Sequence, residues 1–248
     1  QGDAASARTV LQAITAESPQ RDFLLGACAH ALGEVPQAIQ CFTAALKRDA
    51  THAQAACALG SLYAGLGHRQ EAEQLFRQTL QRVEDDQLRF NLAVVLEDSE
   101  RRAEAVAEYT RILEKTPSHY AARHNRAGIY SREKKLNEAA ADYRLLVREY
   151  PKQTLPWHNL GELELALGHY EAATQLLQEV VSREPANGKA LLSLAVAQSA
   201  NADMIESQAS FQRLKTVSPA LWQEALDRVN DAYGTATEVD PRLIFLVR

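Results

Sequence analysis

Trp157, Leu160, Leu163 and Leu167 place large apolar groups at helical intervals, the pattern of an amphipathic helix. Gly168 then interrupts the pattern, followed by His169 and Tyr170, and a glycine there marks a turn. A second apolar run follows at Ala173, Leu176, Leu177, Val180 and Val181 and stops at Pro185. Proline lacks the N–H that a helix interior needs, so it ends the run. Residues 154–187 therefore predict two helices joined by a short turn.

The pattern recurs along the chain. Steps of about 34 residues from Pro185 reach Pro117, Pro151 and Pro219, and the same place upstream holds Ala50 and Glu84. Twelve residues before each of these lies a small residue: Ala38, Ala72, Ala105, Ala139, Ala173 and Ser207. Eight before lies a ring or leucine: Phe42, Phe76, Tyr109, Tyr143, Leu177 and Phe211. In the first half of each unit, Leu25, Leu59, Leu92, Leu160 and Leu194 are each followed by Gly or Ala. Arg126 breaks the leucine rule and Ala127 then keeps the small residue. The small residue lets two helices approach, and the later ring fills the space between neighbours. The units are 19–52, 53–85, 86–119, 120–153, 154–187 and 188–221. A period of this size marks stacked supersecondary units.

The ends extend the pattern. Residues 1–18 read as the second helix of a unit whose first helix is missing, with Ala7, Leu11, Ile14 and Pro19 at the matching spacing. Residues 222–234 read as a capping helix, with Leu221, Trp222, Ala225, Leu226 and Val229 on one face. A solenoid requires such a cap over its last exposed repeat. The tail 235–248 carries five consecutive apolar residues, Leu243 to Val247, and reads as the start of a following domain. The chain begins at Gln1 rather than Met, which reads as a piece of a longer protein.

Composition supports helices and narrows the chemistry. Ala, Leu, Glu, Gln and Arg dominate, and all favour helix. The net charge is −5 and the Lys and Arg are scattered among acids. A nucleic-acid surface would show a basic stripe, so no nucleic-acid partner is expected. No apolar run reaches the length of a membrane span. Cys28, Cys41 and Cys57 form no close pair. They read as reduced thiols, which favours a cytoplasmic setting. No cluster has the four ligands of a zinc site. Glu162 and Glu164 are two residues apart on one helix, so they diverge and form no acid–base pair. The chain lacks HExxH, GxSxG, P-loop and GxGxxG motifs. No catalytic residue, metal or cofactor is expected, and this chain is not expected to be an enzyme.

The segment "WHNLG", the turn "LGHYEAA" and the terminal Pro185 resemble the tetratricopeptide repeat, and the resemblance runs over residues 19–221. It departs at Arg126, at Glu84 in place of a proline, and at Glu164 and Gln198 where Tyr63 and Tyr130 stand in other units. The resemblance implies an all-α, right-handed superhelical solenoid of antiparallel helix pairs, whose first helices line an inner groove. It also implies a protein–protein interaction module that binds peptide or protein segments there. The residue before each leucine then faces the groove: Leu24, Ala58, Asn91, Asn125, Asn159 and Ser193. Three asparagines stand one repeat apart. An Asn amide both donates and accepts, so the row either grips a peptide backbone or only hydrates the groove. Phe90, His124, His158 and Glu162 fall at neighbouring groove places. The paired Lys and Arg of a carboxylate clamp are missing around the asparagines.

The Asn row also resembles the N-terminal region of O-linked N-acetylglucosamine transferases and their bacterial relatives. That resemblance implies a substrate-recruiting arm of a larger glycosyltransferase. A third reading is an assembly scaffold, self-associating through the apolar tail.

Overall fold

The structure is a computed structural model that describes residues 2–13 and 16–233. Among these residues there are fourteen helices and no strand. Helix α1 (Gly2–Ala13) precedes six helix pairs. The pairs are α2 (Pro19–Ala31) with α3 (Val35–Arg48), α4 (Ala53–Gly65) with α5 (Arg69–Leu80), and α6 (Asp86–Asp98) with α7 (Arg102–Lys115). There follow α8 (Tyr120–Arg132) with α9 (Leu136–Glu149), α10 (Thr154–Ala166) with α11 (Tyr170–Arg183), and α12 (Gly188–Ala200) with α13 (Met204–Val217). Helix α14 (Pro219–Tyr233) completes the described chain. It starts ahead of residue 222, because Pro219 takes the first turn, where a missing N–H costs nothing. The tail 235–248 and the side chain of Val229 lie outside the described residues.

The turn inside each pair has one backbone solution. A single residue adopts positive φ in every pair: Gly33, Gly67 and Gly168, but also Glu100, Lys134 and Ala202. The next N–H then reaches back to close the helix end: His68 to the Tyr63 carbonyl at 2.9 Å and Asp203 to that of Gln198 at 2.8 Å. This is the left-handed helix cap that glycine suits best. At Ala202 φ is 65°, and a Cβ there costs about 1–2 kcal/mol. Ala202→Gly should therefore raise stability by about 0.5–1 kcal/mol, after the extra freedom of the unfolded chain is subtracted. Urea denaturation measures it, and a lower midpoint would show that the turn carries no strain.

The two helices of a pair start differently. Five of the six first helices, all but α10, are capped by side chains: Asp85 accepts from Leu88 N–H at 2.8 Å and Asn187 from Ala190 N–H at 3.0 Å. Ser18 does the same for α2, and the ring nitrogens of His52 and His119 do it for α4 and α8. Each cap satisfies one of the four orphan N–H groups of a helix start.

The chain divides into two compact units, residues 1–122 and 123–248. In the first, each helix from α1 to α6 packs on the next, α6 packs on α7, and α4 also touches α2 and α6. In the second, α9 to α14 pack in sequence, and α12 also touches α10 and α14. The repeat rule explains the core of both. Ala38, Ala72, Ala105, Ala139, Ala173 and Ser207 are completely sealed from solvent. Phe42, Phe76, Tyr109, Tyr143, Leu177 and Phe211 are all buried. Ser207 keeps the rule because its hydroxyl donates to the Ala195 carbonyl at 2.7 Å, leaving no orphan polar group. Helix α1 does not keep it: Ala7 is exposed, and α1 is tied to the next pair by Arg8, whose guanidinium donates to both oxygens of Glu34.

Candidate functional site

The first helices carry the candidate groove, and each unit holds an open cavity on them. In the first unit a cavity of about 420 Å³ is lined by Phe23, Cys57, Ala58, Ser61, Gln87 and Asn91. Asn91 is held from two sides: its Oδ1 accepts from Gln87 at 3.0 Å, and its Nδ2 donates to Ser61 Oγ at 3.4 Å. Phe90, next to it, is half-buried and does packing work. Its ring lies 5.7 Å from that of Tyr109 and stacks at 5.7 Å on His119. Phe23 repeats the arrangement with Phe42 and His52. An aromatic residue at this place thus meets both the ring of its own pair and the histidine that caps the next first helix.

In the second unit a larger cavity, about 750 Å³, opens between the α8–α9 and α10–α11 pairs. Asn159, Glu162, Tyr143, Tyr170, Ser131 and Gly128 are among its lining. Asn159 Nδ2 donates to Tyr143 Oη at 3.1 Å. His124 meets the Tyr143 ring edge-on at 5.6 Å. Burial holds the His124 pKa below its ordinary 6.5, so the imidazole is neutral at pH 7. His158 and Asn125 are half-buried on α10 and α8, and Glu162 is half-buried on α10.

Ser193 is placed differently from the other residues expected in the groove. It is 7% exposed, and its hydroxyl donates back to the Lys189 carbonyl at 3.0 Å. Val196 is buried as well. The cause is the position of α12, which packs against α10, α11, α13 and α14 and buries nine of its 13 residues. Of the three asparagines, Asn91 belongs to the first unit, and Asn125 and Asn159 to the second.

Tyr143 and Tyr170 line the cavity although the sequence reading treats one as core and the other as a turn residue. The signal was present at Gly128. Val94, Glu162 and Val196 occupy its place in other repeats, so a glycine there removes a side chain from the groove. A Cβ on Gly128 would still stand 3.9 Å from Tyr143 Oη, so the space left there lets the otherwise buried Tyr143 line the cavity.

The remaining reactive groups are quiet. Cys28, Cys41 and Cys57 are free and half-buried. Burial, and then the charge of Asp85, push the Cys57 thiol up to about 12, which leaves it protonated and unreactive at neutral pH. Among the described residues no group of three His, Cys, Asp or Glu could hold a metal ion. No described helix is long and apolar enough to cross a membrane.

Comparison with known proteins agrees with this architecture. The tetratricopeptide repeat family matches residues 1–53, 29–87, 57–118, 90–154 and 158–213. A segment of 69 residues is 36% identical to the FK506-binding protein-like of Mus musculus and, equally, to that of Rattus norvegicus. It covers 28% of this chain and spans only 20% of the length of these curated relatives. Three solved structures share the fold. YrrB, a TPR protein with an unusual peptide-binding site, is 22% identical with a TM-score of 0.61, covering 75% of this chain and 96% of its own. A tetratricopeptide repeat protein from Parabacteroides merdae is 17% identical with a TM-score of 0.65, covering 94% and 99%. Pseudomonas aeruginosa pilF is 19% identical with a TM-score of 0.66, covering 90% and 97%. Helix pairs of nearly constant length, one left-handed residue per turn, sealed small residues beneath buried large ones and a family match along most of the sequence lead to one conclusion: the chain belongs to the tetratricopeptide repeat family.

Proposed function

We propose that this protein–protein interaction module holds extended segments of partner proteins against its first helices, with Asn91 as a backbone grip of the first unit and Asn125 and Asn159 as those of the second. One observation carries the reading: Asn159 lines an open cavity with hydrogen-bonding capacity to spare. An Asn side chain has two N–H donors and a carbonyl acceptor, and Tyr143 takes one donor. The phenol also fixes the amide, which lowers the ordering cost of binding. A peptide backbone offers the same alternation of donor and acceptor. YrrB, which shares the fold, has a peptide-binding site, and this supports the reading.

The test selects peptides from a phage-displayed random library on the intact chain, then measures their binding to Asn→Ala variants at 91, 125 and 159. Each lost hydrogen bond is worth about 0.5–1.5 kcal/mol, so the triple variant should bind at least about tenfold more weakly. Its circular dichroism should stay helical. Unchanged affinity in the triple variant would show that the asparagines only hydrate the surface.

A further inference from the structure

The chemistry of the partner segment follows from what lines the two cavities, and this inference rests on the peptide-binding reading above. The cavity of the second unit contains one carboxylate, Glu162, half-buried on α10. Around it stand two tyrosines, Tyr143 and Tyr170, and the leucines Leu163 and Leu167. Its single basic residue, Lys134, is exposed at the α8–α9 turn. An exposed ammonium is well hydrated and screened by salt. A half-buried carboxylate is screened less and attracts a cation more strongly. The first unit repeats the sign: Asp85 lines its cavity and no Lys or Arg does. The whole chain carries a net charge of −5.

We propose that the bound segment is basic, and that a Lys or Arg side chain enters the cavity between the α8–α9 and α10–α11 pairs with its cationic head at Glu162. The shape of such a side chain fits the lining. Its methylene stem has apolar neighbours in Leu163 and Leu167, since Lys and Arg lay their stems along apolar surface while the head stays polar. Tyrosine faces attract a cation. A carboxylate has room for several donors at once, so Glu162 takes the incoming head alongside its contacts within the protein. An acidic or purely apolar anchor would instead leave the Glu162 carboxylate desolvated against it, which is costly.

The test uses four fluorescein-labelled dodecapeptides of Ala, Ser and Leu that differ only at the central residue: Arg, Lys, norleucine or Glu. Their anisotropy is titrated with the full chain, with Glu162→Gln and with Asn159→Ala. The Arg and Lys peptides should bind at least about tenfold more tightly than the other two, as expected for one well-placed charge pair. Glu162→Gln should erase that preference, and Asn159→Ala should weaken all four peptides alike. Equal binding of the norleucine and Arg peptides, with Asn159→Ala still weakening both, would overturn the basic anchor and leave the backbone grip standing. If Asn159→Ala changes nothing, or none of the four binds, the grip fails and the basic anchor fails with it.

Discussion

Phe76→Ala should destabilise the protein by about 3–5 kcal/mol, the range for emptying a buried ring site. The ring is fully sealed and fills the place that the repeat assigns to its large residue. It has no room to be replaced from the neighbouring helix. A Cβ built on Gly60 would come within 2.3 Å of the ring, so the ring presses against α4 at Gly60. Alanine leaves a void there, and closing it would require α4 and α5 to approach beyond backbone contact. Tyr109→Ala should cost as much for the same reason, and also loses the hydrogen bond from its hydroxyl to Glu97 at 3.2 Å. Urea denaturation monitored by circular dichroism measures both. A change below about 1 kcal/mol at Phe76 would be incompatible with a ring in the core. Repeat arrays unfold by nearest-neighbour steps, so a broadened transition is also expected, with the α4–α5 pair opening first.

The same small-on-large rule explains why the fold was legible in the sequence. Close packing of a ring, or of Leu177 in one pair, on Gly or Ala is a local demand, met within one pair and repeated six times. A periodic pattern therefore records it directly. Glycine at the turn was read at 168, and the structure adds Gly33 and Gly67; the turn residue was hidden at Glu100, Lys134 and Ala202, where stacking forces positive φ on residues that do not ask for it. The candidate site was only partly legible. Periodicity placed Asn159 and Glu162 on one helix, and both line the same cavity. It did not show that Tyr143 reaches from the second helix to Asn159, because that depends on how much volume Gly128 leaves. Nor did it show that Ser193 would be sealed, since the burial of α12 comes from four neighbouring helices. Composition could not supply either fact, because both belong to packing between repeats.

Arg126 is the clearest case of a sequence anomaly with a structural partner. It stands where other repeats place leucine, and it makes a two-pronged pair with Asp142 on α9, both contacts at 2.8 Å. Arg123 adds a third contact to the same carboxylate at 3.3 Å. Asp142 is 4% exposed and Arg123 7%, so these charges depend on each other for solvation. The preceding repeat holds a related pair at the same register, Arg89 with Glu108 at 2.8 Å. The acid one repeat after an acid was therefore the readable clue. Asp142→Ala should cost about 3–5 kcal/mol, because it removes from a buried site the carboxylate that both guanidiniums share. The following repeat solves the same space with Trp157, Leu160 and Leu176. A triple Arg123→Leu, Arg126→Leu, Asp142→Leu variant should therefore be far less harmed than Asp142→Ala alone, within about 1–2 kcal/mol of the parent, since apolar replacement of a buried ion cluster is often neutral or better. Chemical denaturation of the two variants separates the alternatives. If the triple variant were the less stable of the two, the ion cluster would be stabilising the pair rather than merely compensating for its own burial.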